Sequence, residues 1–140
     1  VQILLKKAFV EYKIENYADA EKDYEKVLKI QSENVEAFVS LGMVKHKENK
    51  DNEALHLYNK AIDIDSEYAD AYINRSISAS QLGDYKMAES DLEKMFTFDI
   101  FRNDYLSVYN EIREIVSKRE DEDAKAFLIR LDELAQRIKK

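Results

Sequence analysis

Residues 38–62 read FVSLGMVKHKENKDNEALHLYNKAI. This stretch is a two-helix unit, with a polar corner at Asn49-Lys50-Asp51 between two segments of helical apolar spacing. The chain repeats it. Moved back by 34 residues, Gly42, Ala54, Tyr58 and Ile62 fall on Ala8, Ala20, Tyr24 and Leu28. Moved forward by 34, they fall on Ser76, Ala88, Leu92 and Phe96. Small residues meet small ones and bulky apolar residues meet bulky ones. A fixed period of this size signals a stacked repeat array. Helices that pack about 8–10 Å apart need a contact that is small on one side. Ala8, Gly42 and Ser76 leave that room, Ala20, Ala54 and Ala88 answer it, and Tyr24 and Tyr58 fill the space between successive pairs.

Composition agrees. Hydrophobic residues make up 45% and charged residues 36%, which suits a folded, helix-rich chain. There is no proline and only two glycines, Gly42 and Gly83, too few turn formers for a β-rich fold. The absence of cysteine excludes a disulfide scaffold and a thiolate metal site. The net charge of −7 divides as −1, −3, −2 and −1 over 1–34, 35–68, 69–102 and 103–140. No segment is therefore a basic footprint, which argues against nucleic acid as a partner. No apolar run approaches the roughly 18 residues of a membrane span. The N-terminal VQILLKKAFVEYK is too short and too lysine-broken for a signal peptide. Together these features point to the cytoplasm. The valine at position 1 suggests a piece of a longer protein.

The spacing predicts helices at 1–14, about 17–31, 35–48, 52–64, 69–82 and 86–98. Asn16, Asn34, Ser66 and Asp84 stand where caps belong, and Gly83 is the clearest stop signal. Beyond Asp99 the pattern degrades. A helix is expected over 103–118, then a last one through about Ile138, opened by the acidic run Glu120–Asp123, which complements the helix dipole. Ala124, Leu128 and Leu131 replay Ala20, Tyr24 and Val27, but 124 − 88 = 36, not 34. A displaced terminal unit suits the end of an array, where the last helix must show a polar face. The expected organisation is one domain over 1–140, with units 1–34, 35–68 and 69–102 and a divergent capping pair over 103–140.

The pattern resembles the tetratricopeptide repeat. The residues that carry the resemblance are Phe38 and Leu41-Gly42 in the first helix. In the second helices they are Tyr17…Ala20…Tyr24…Val27-Leu28, Ala54…Tyr58…Ala61-Ile62, and Tyr85…Ala88…Leu92…Met95-Phe96. There are departures. The usual inter-repeat proline is replaced by Ser32, Ser66 and Ile100. Lys7 and Arg75 stand for the common leucine beside the small residue, and Glu11, Lys45 and Ala79 for the common tyrosine. The resemblance implies an all-α, right-handed superhelical solenoid of antiparallel helix pairs. It also implies a concave groove, lined by the first helix of each pair, that holds peptides or partner proteins, with no catalysis in the repeat itself.

Projected onto that groove, the first helices contribute Leu5, Phe9 and Tyr12, then Val39, Met43 and His46, then Ile73, Asn74, Ile77 and Gln81. The centre is an apolar ladder with polar edges, and an exposed strip of this kind marks an interaction surface. The expected function is an adaptor or scaffold that binds a protein or peptide with apolar side chains. Two readings stand beside it: cover by the chain's own flanking segment or C-terminal helix, and self-association into homo-oligomers. In chaperone cofactors of this family, lysine, asparagine and arginine clamp acidic C-terminal tails. Leu5, Phe9, Ser40, Asp70 and Asn74 stand at those places here, which argues against such a clamp. His46 and His56, the only histidines, lie on different helices and do not converge on a metal. No cofactor is implied, and no nucleophile–base arrangement or phosphate loop suggests an enzyme.

Overall fold

The corner inside each regular unit is built the same way. Glu15, Asn49 and Gly83, spaced by 34, have φ of 64°, 62° and 82°. At each corner the following amide donates back to the carbonyl five residues earlier: Asn16 to Glu11, Lys50 to Lys45 and Asp84 to Ala79, all at 2.8 Å. This is the left-handed helix stop that satisfies the last free carbonyls. Gly83 and Asn49 are suited to it by residue type, whereas Glu15 is not. At Glu15 a side chain in this conformation costs about 1–2 kcal/mol.

The structure, a computed structural model, describes residues 1–98 and 102–139. Among the described residues there are eight helices and no strand. They are α1 (Gln2–Lys13), α2 (Tyr17–Ile30), α3 (Val35–Lys47), α4 (Asp51–Ile64), α5 (Ala69–Leu82), α6 (Tyr85–Met95), α7 (Arg102–Ser117) and α8 (Glu122–Lys139). Ile100 lies outside the described residues. The sixth helix stops at Met95, short of the expected 98, and hydrogen-bonded turns carry the chain on through Phe98.

Caps follow the expectation at two of four places. Asn34 Oδ1 accepts from the Ala37 amide at 2.8 Å, and Asp84 Oδ1 from the Met87 amide at 3.2 Å. Asn16 occupies a cap position, but its side chain donates to Asp19 instead. Ser66 is not the cap of α5. Tyr68 stands there, and Asp65 braces the turn by accepting from the Glu67 amide at 3.0 Å. The acidic run supplies a cap of its own: Asp121 Oδ1 accepts from the Ala124 amide at 2.9 Å, ahead of α8.

The first six helices form the pairs α1–α2, α3–α4 and α5–α6, with α2 packed on α3 and α4 on α5. Gly42 is the tightest small-residue contact. A Cβ there would lie 2.3 Å from Tyr58 Cε1, so glycine admits the ring. Tyr58 in turn clusters with Val39, Ala54, Ala61 and, from the next unit, Ala71.

The unusual charges beside the small residues are paired. In the first unit Lys7 Nζ lies 3.0 Å from Asp23, and in the third Arg75 grips Asp91 with two bonds of 2.6 and 2.9 Å. The partners are 16 residues apart in both, and the same two places in the middle unit hold Leu41 and Leu57. Each unit thus satisfies this contact in a single chemistry, ionic or apolar. Burial pushes the Glu11 carboxyl up, helped by its hydrogen bond to Asp23. Burial also acts upward on Asp23, but its bonds from Lys7 and Glu11 outweigh this and hold it low.

The last pair departs from the stacking rule. α7 lies along α5 and α8 along α6, where α3 lies along α2 and α5 along α4. Tyr85 stacks on Phe127 with centroids 4.8 Å apart, Glu89 bonds Arg130 at 2.7 Å and Glu93 bonds Arg137 at 2.8 Å. These contacts advance together along both helices, so α6 and α8 run parallel. The largest core cluster lies here and joins Ile77, Leu92 and Met95 to Tyr105, Ile112, Phe127 and Leu131.

Candidate functional site on the concave face

Helical spacing puts Gln2, Leu5, Lys6 and Phe9 on one side of α1, and α3 brings Glu36 beside them. Together with Val10 they line an open depression of about 570 Å³. Leu5 is 4% exposed and forms its floor, while Phe9 is 49% exposed. Phe9 stacks on Tyr12 with centroids 6.5 Å apart, and Tyr12 meets Tyr17 of α2 at 5.9 Å. Lys13 Nζ lies 5.3 Å from the Phe9 ring centre. Burial pushes the Tyr12 phenol up, so it stays neutral.

The remaining sequence-derived positions do not form one exposed ladder. Val39 and Ile77 are buried, at 3% and 7% exposure, and belong to the core. Met43 is half-buried against the Val39–Tyr58 cluster. Ile73 packs at the edge of the cluster that α7 and α8 complete. His46 is turned away from the groove edge, because its Nδ1 sits 2.5 Å from Oδ1 of the buried Asp51 at the α3–α4 corner. Asn74 bonds back to the Asp70 carbonyl at 2.8 Å. Gln81 is exposed at the end of α5, and its carbonyl accepts from Arg119. The structure thus groups Leu5, Phe9 and Tyr12 and separates them from the third-unit residues.

α7 explains that separation. It lies along α5, and its buried Tyr105, Val108 and Ile112 share a cluster with Ile77. Its Glu111 adds to the upward shift of both the Tyr12 and the Tyr58 phenols, which burial chiefly causes. The helix spacing places 103–118 in a helix but does not say on which neighbour it lies, so this closure is not visible in the sequence. The Tyr17 contribution was likewise missed, since the groove projection used first helices alone.

Two further depressions lie elsewhere. One of about 410 Å³ is lined by Leu41, Lys45, Asn52, Glu53, His56 and Leu57. One of about 340 Å³ lies between the α5–α6 corner and α8, at Gly83–Lys86, Asp123, Ala126 and Arg130. Among the described residues no group of three or more His, Asp or Glu side chains is placed to hold a metal ion. Among the same residues no helix is long and apolar enough to cross a membrane.

The family model of the tetratricopeptide repeat matches residues 1–34, 35–68 and 69–99. No curated protein matches the chain. Solved structures share its fold. The first tetratricopeptide domain of Spaghetti (RPAP3), bound to the HSP90 peptide SRMEEVD, is 20% identical with a TM-score of 0.73. That match covers 84% of this chain and 93% of that one. The type III secretion translocator chaperone SycD of Yersinia enterocolitica is 19% identical with a TM-score of 0.63, over 99% of this chain and 82% of that one. PcrH, in complex with the chaperone binding region of PopD, is 17% identical with a TM-score of 0.61, over 99% and 90%.

Proposed function

The chain belongs to the tetratricopeptide repeat family, and on that footing we propose that it is a protein-interaction module binding an apolar or amphipathic segment on the N-terminal half of its concave face. The observation that carries this is Phe9, half exposed at the rim of a depression floored by Leu5. The aromatic group Phe9–Tyr12–Tyr17 offers large, stiff contact area at low entropic cost. Lys6 and Lys13 on one side and Glu36 on the other set the orientation of the bound segment. Related folds carry ligands of this kind: the Spaghetti domain holds an HSP90 peptide and PcrH holds a region of PopD. The depression here lacks the cationic set for an acidic tail, so an apolar side chain is the better ligand. Burying one such side chain contributes roughly 1.5–3 kcal/mol. Two or three, less ordering costs, give an exchangeable complex in the micromolar range.

The test compares wild type, Phe9→Glu and Ile129→Glu as baits in native lysate, followed by titration of the captured segment as a labelled peptide. Ile129, on the outer face of α8, is 63% exposed and serves as the control. Phe9→Glu is expected to weaken the peptide more than about tenfold, from the loss of one buried side chain, while Ile129→Glu leaves it unchanged. Equal binding by all three baits would move the site away from Phe9. A concentration-dependent mass that Phe9→Glu abolishes would assign the depression to a second copy of the chain.

A further inference from the structure

The two internal junctions of the array bury the same positions of each first helix. In α3 these are Ala37 and Val44, both 0% exposed and clustered with the preceding unit. In α5 they are Ala71 and Ser78, both 0% exposed, with Ala71 clustered on Tyr58 of the preceding unit. Counting back by 34 from α3, the corresponding residues of α1 are Ile3 and Val10. They are 82% and 58% exposed, and Ile14, one turn further along, is 68% exposed. Ile3 is the largest residue at its junction position and Val10 matches Val44, yet both stand largely in solvent.

The opposite end of the array does not share this property. The outward side of α8 carries Lys125, Asp132, Glu133 and Gln136, with Ile129 as its exposed large apolar residue. That face suits water. It offers no apolar stripe on which the α1 face of a second copy could stack head to tail. Side-by-side pairing of α1 with another α1 is opposed by like charge, since Lys6, Lys7 and Lys13 outnumber Glu11 on this helix. The internal junctions instead join a cation on the first helix to an acceptor on the preceding second helix. Lys45 meets Glu21 at 2.6 Å, and Arg75 Nη1 donates to Asn59 Oδ1 at 3.0 Å. Lys7, the counterpart of Arg75, keeps 60% of its side chain in solvent.

We propose that the Ile3–Val10–Ile14 stripe is the seat of one further helix pair, supplied by polypeptide N-terminal to Val1. Its second helix packs on α1 as α2 packs on α3. That helix places an acceptor 16 residues before Lys7, as Asn59 stands 16 residues before Arg75. Ile3 is larger than Ala37 and Ala71, so the residue facing it is small. This seat lies at the end of the array; it shares Val10 with the rim of the concave depression, whereas Ile3 and Ile14 stand outside that lining.

The test is hydrogen exchange on the full polypeptide as its gene encodes it, beside the 140-residue chain, with and without Ile3→Glu/Val10→Glu. In the full polypeptide, residues upstream of Val1 are expected to slow exchange of the α1 amides by about tenfold or more. The double substitution should erase that gain. In the 140-residue chain it should leave the melting temperature nearly unchanged, because Ile3 and Val10 are 82% and 58% exposed. A native polypeptide that begins at Val1 would overturn the proposal, as would equal exchange in the two forms. Protection of α1 in the 140-residue chain that rises with concentration would give the seat to a second copy and overturn it equally.

Discussion

Removing Arg75 should be far more damaging than removing the pair it belongs to. Asp91 is 1% exposed and takes two bonds from the Arg75 guanidinium, at 2.9 and 2.6 Å. Arg75→Leu leaves that carboxylate buried with its main partner gone, which costs about 3–5 kcal/mol. Against a total stability of about 5–15 kcal/mol this is a large fraction. Asp91→Leu is milder, because the half-buried Arg75 can swing its head to solvent and keeps Asn59. The double variant Arg75→Leu/Asp91→Leu restores in the third unit the Leu41/Leu57 chemistry of the second, and should lie within about 1.5 kcal/mol of wild type or above it. The coupling between the two sites is then at least about 1.5 kcal/mol. Urea unfolding of the four proteins, followed by circular dichroism, measures it. The sign of the pH dependence follows. Burial already pushes the Asp91 carboxyl up, and Arg75 opposes that push. Without Arg75 the folded state holds a proton that the unfolded chain releases above about pH 4. The deficit of Arg75→Leu should therefore be smallest at or below that pH and grow as pH rises toward the folded-state value. Additive costs in the double variant, or a deficit that shrinks as pH rises, would refute the reasoning.

Other substitutions probe the repeat geometry directly. Glu15→Gly, at φ 64°, should stabilise the chain by about 1 kcal/mol by relieving a left-handed side chain, read as a rise in thermal midpoint. A fall would mean that Glu15 makes a compensating contact. Gly42→Ala drives a methyl to 2.3 Å from Tyr58 Cε1 and should cost about 1–3 kcal/mol. Adding Tyr58→Leu, the residue type at the equivalent Leu92, should reduce the cost of the alanine relative to the same change in wild type, as denaturant titration of the cycle will show. Phe127→Ala removes a 0% exposed ring stacked on Tyr85 and should cost about 3–5 kcal/mol. Its effect should appear as faster hydrogen exchange in α7 and α8 before α1 to α4 respond.

Much of this chain's order was legible from the spacing of a few residue types. The 34-residue period placed the first six helices within a few residues, because helix ends answer to local chemistry that the period repeats. The corner at Glu15 was legible only as a boundary. Its left-handed backbone is imposed by the closing bonds, and no residue type announces it. The ion pairs could have been found by comparing the units with one another: Lys7/Asp23 and Arg75/Asp91 change together where Leu41/Leu57 stand. The candidate site was less legible. Treating every first helix as equivalent predicted a continuous ladder from Leu5 to Ile77. Phe9 is half exposed at the open depression, whereas Val39 and Ile77 are buried.

The physical division is between local and non-local terms. The sequence alone determined that this is an all-helical array of paired units, since period, small-residue contacts and stop signals act over one unit's length. It also determined that the C-terminal pair would be atypical, from the change of spacing to 36. Only the tertiary structure decided which neighbour that pair chose. α7 settled along α5 and α8 along α6, through Phe127 on Tyr85 and arginines on Glu89 and Glu93. That choice depends on burial gained between segments about 40 residues apart, where several packings satisfy the same apolar pattern. It also decides how much of the concave face the chain keeps for itself and how much, around Phe9, it leaves open.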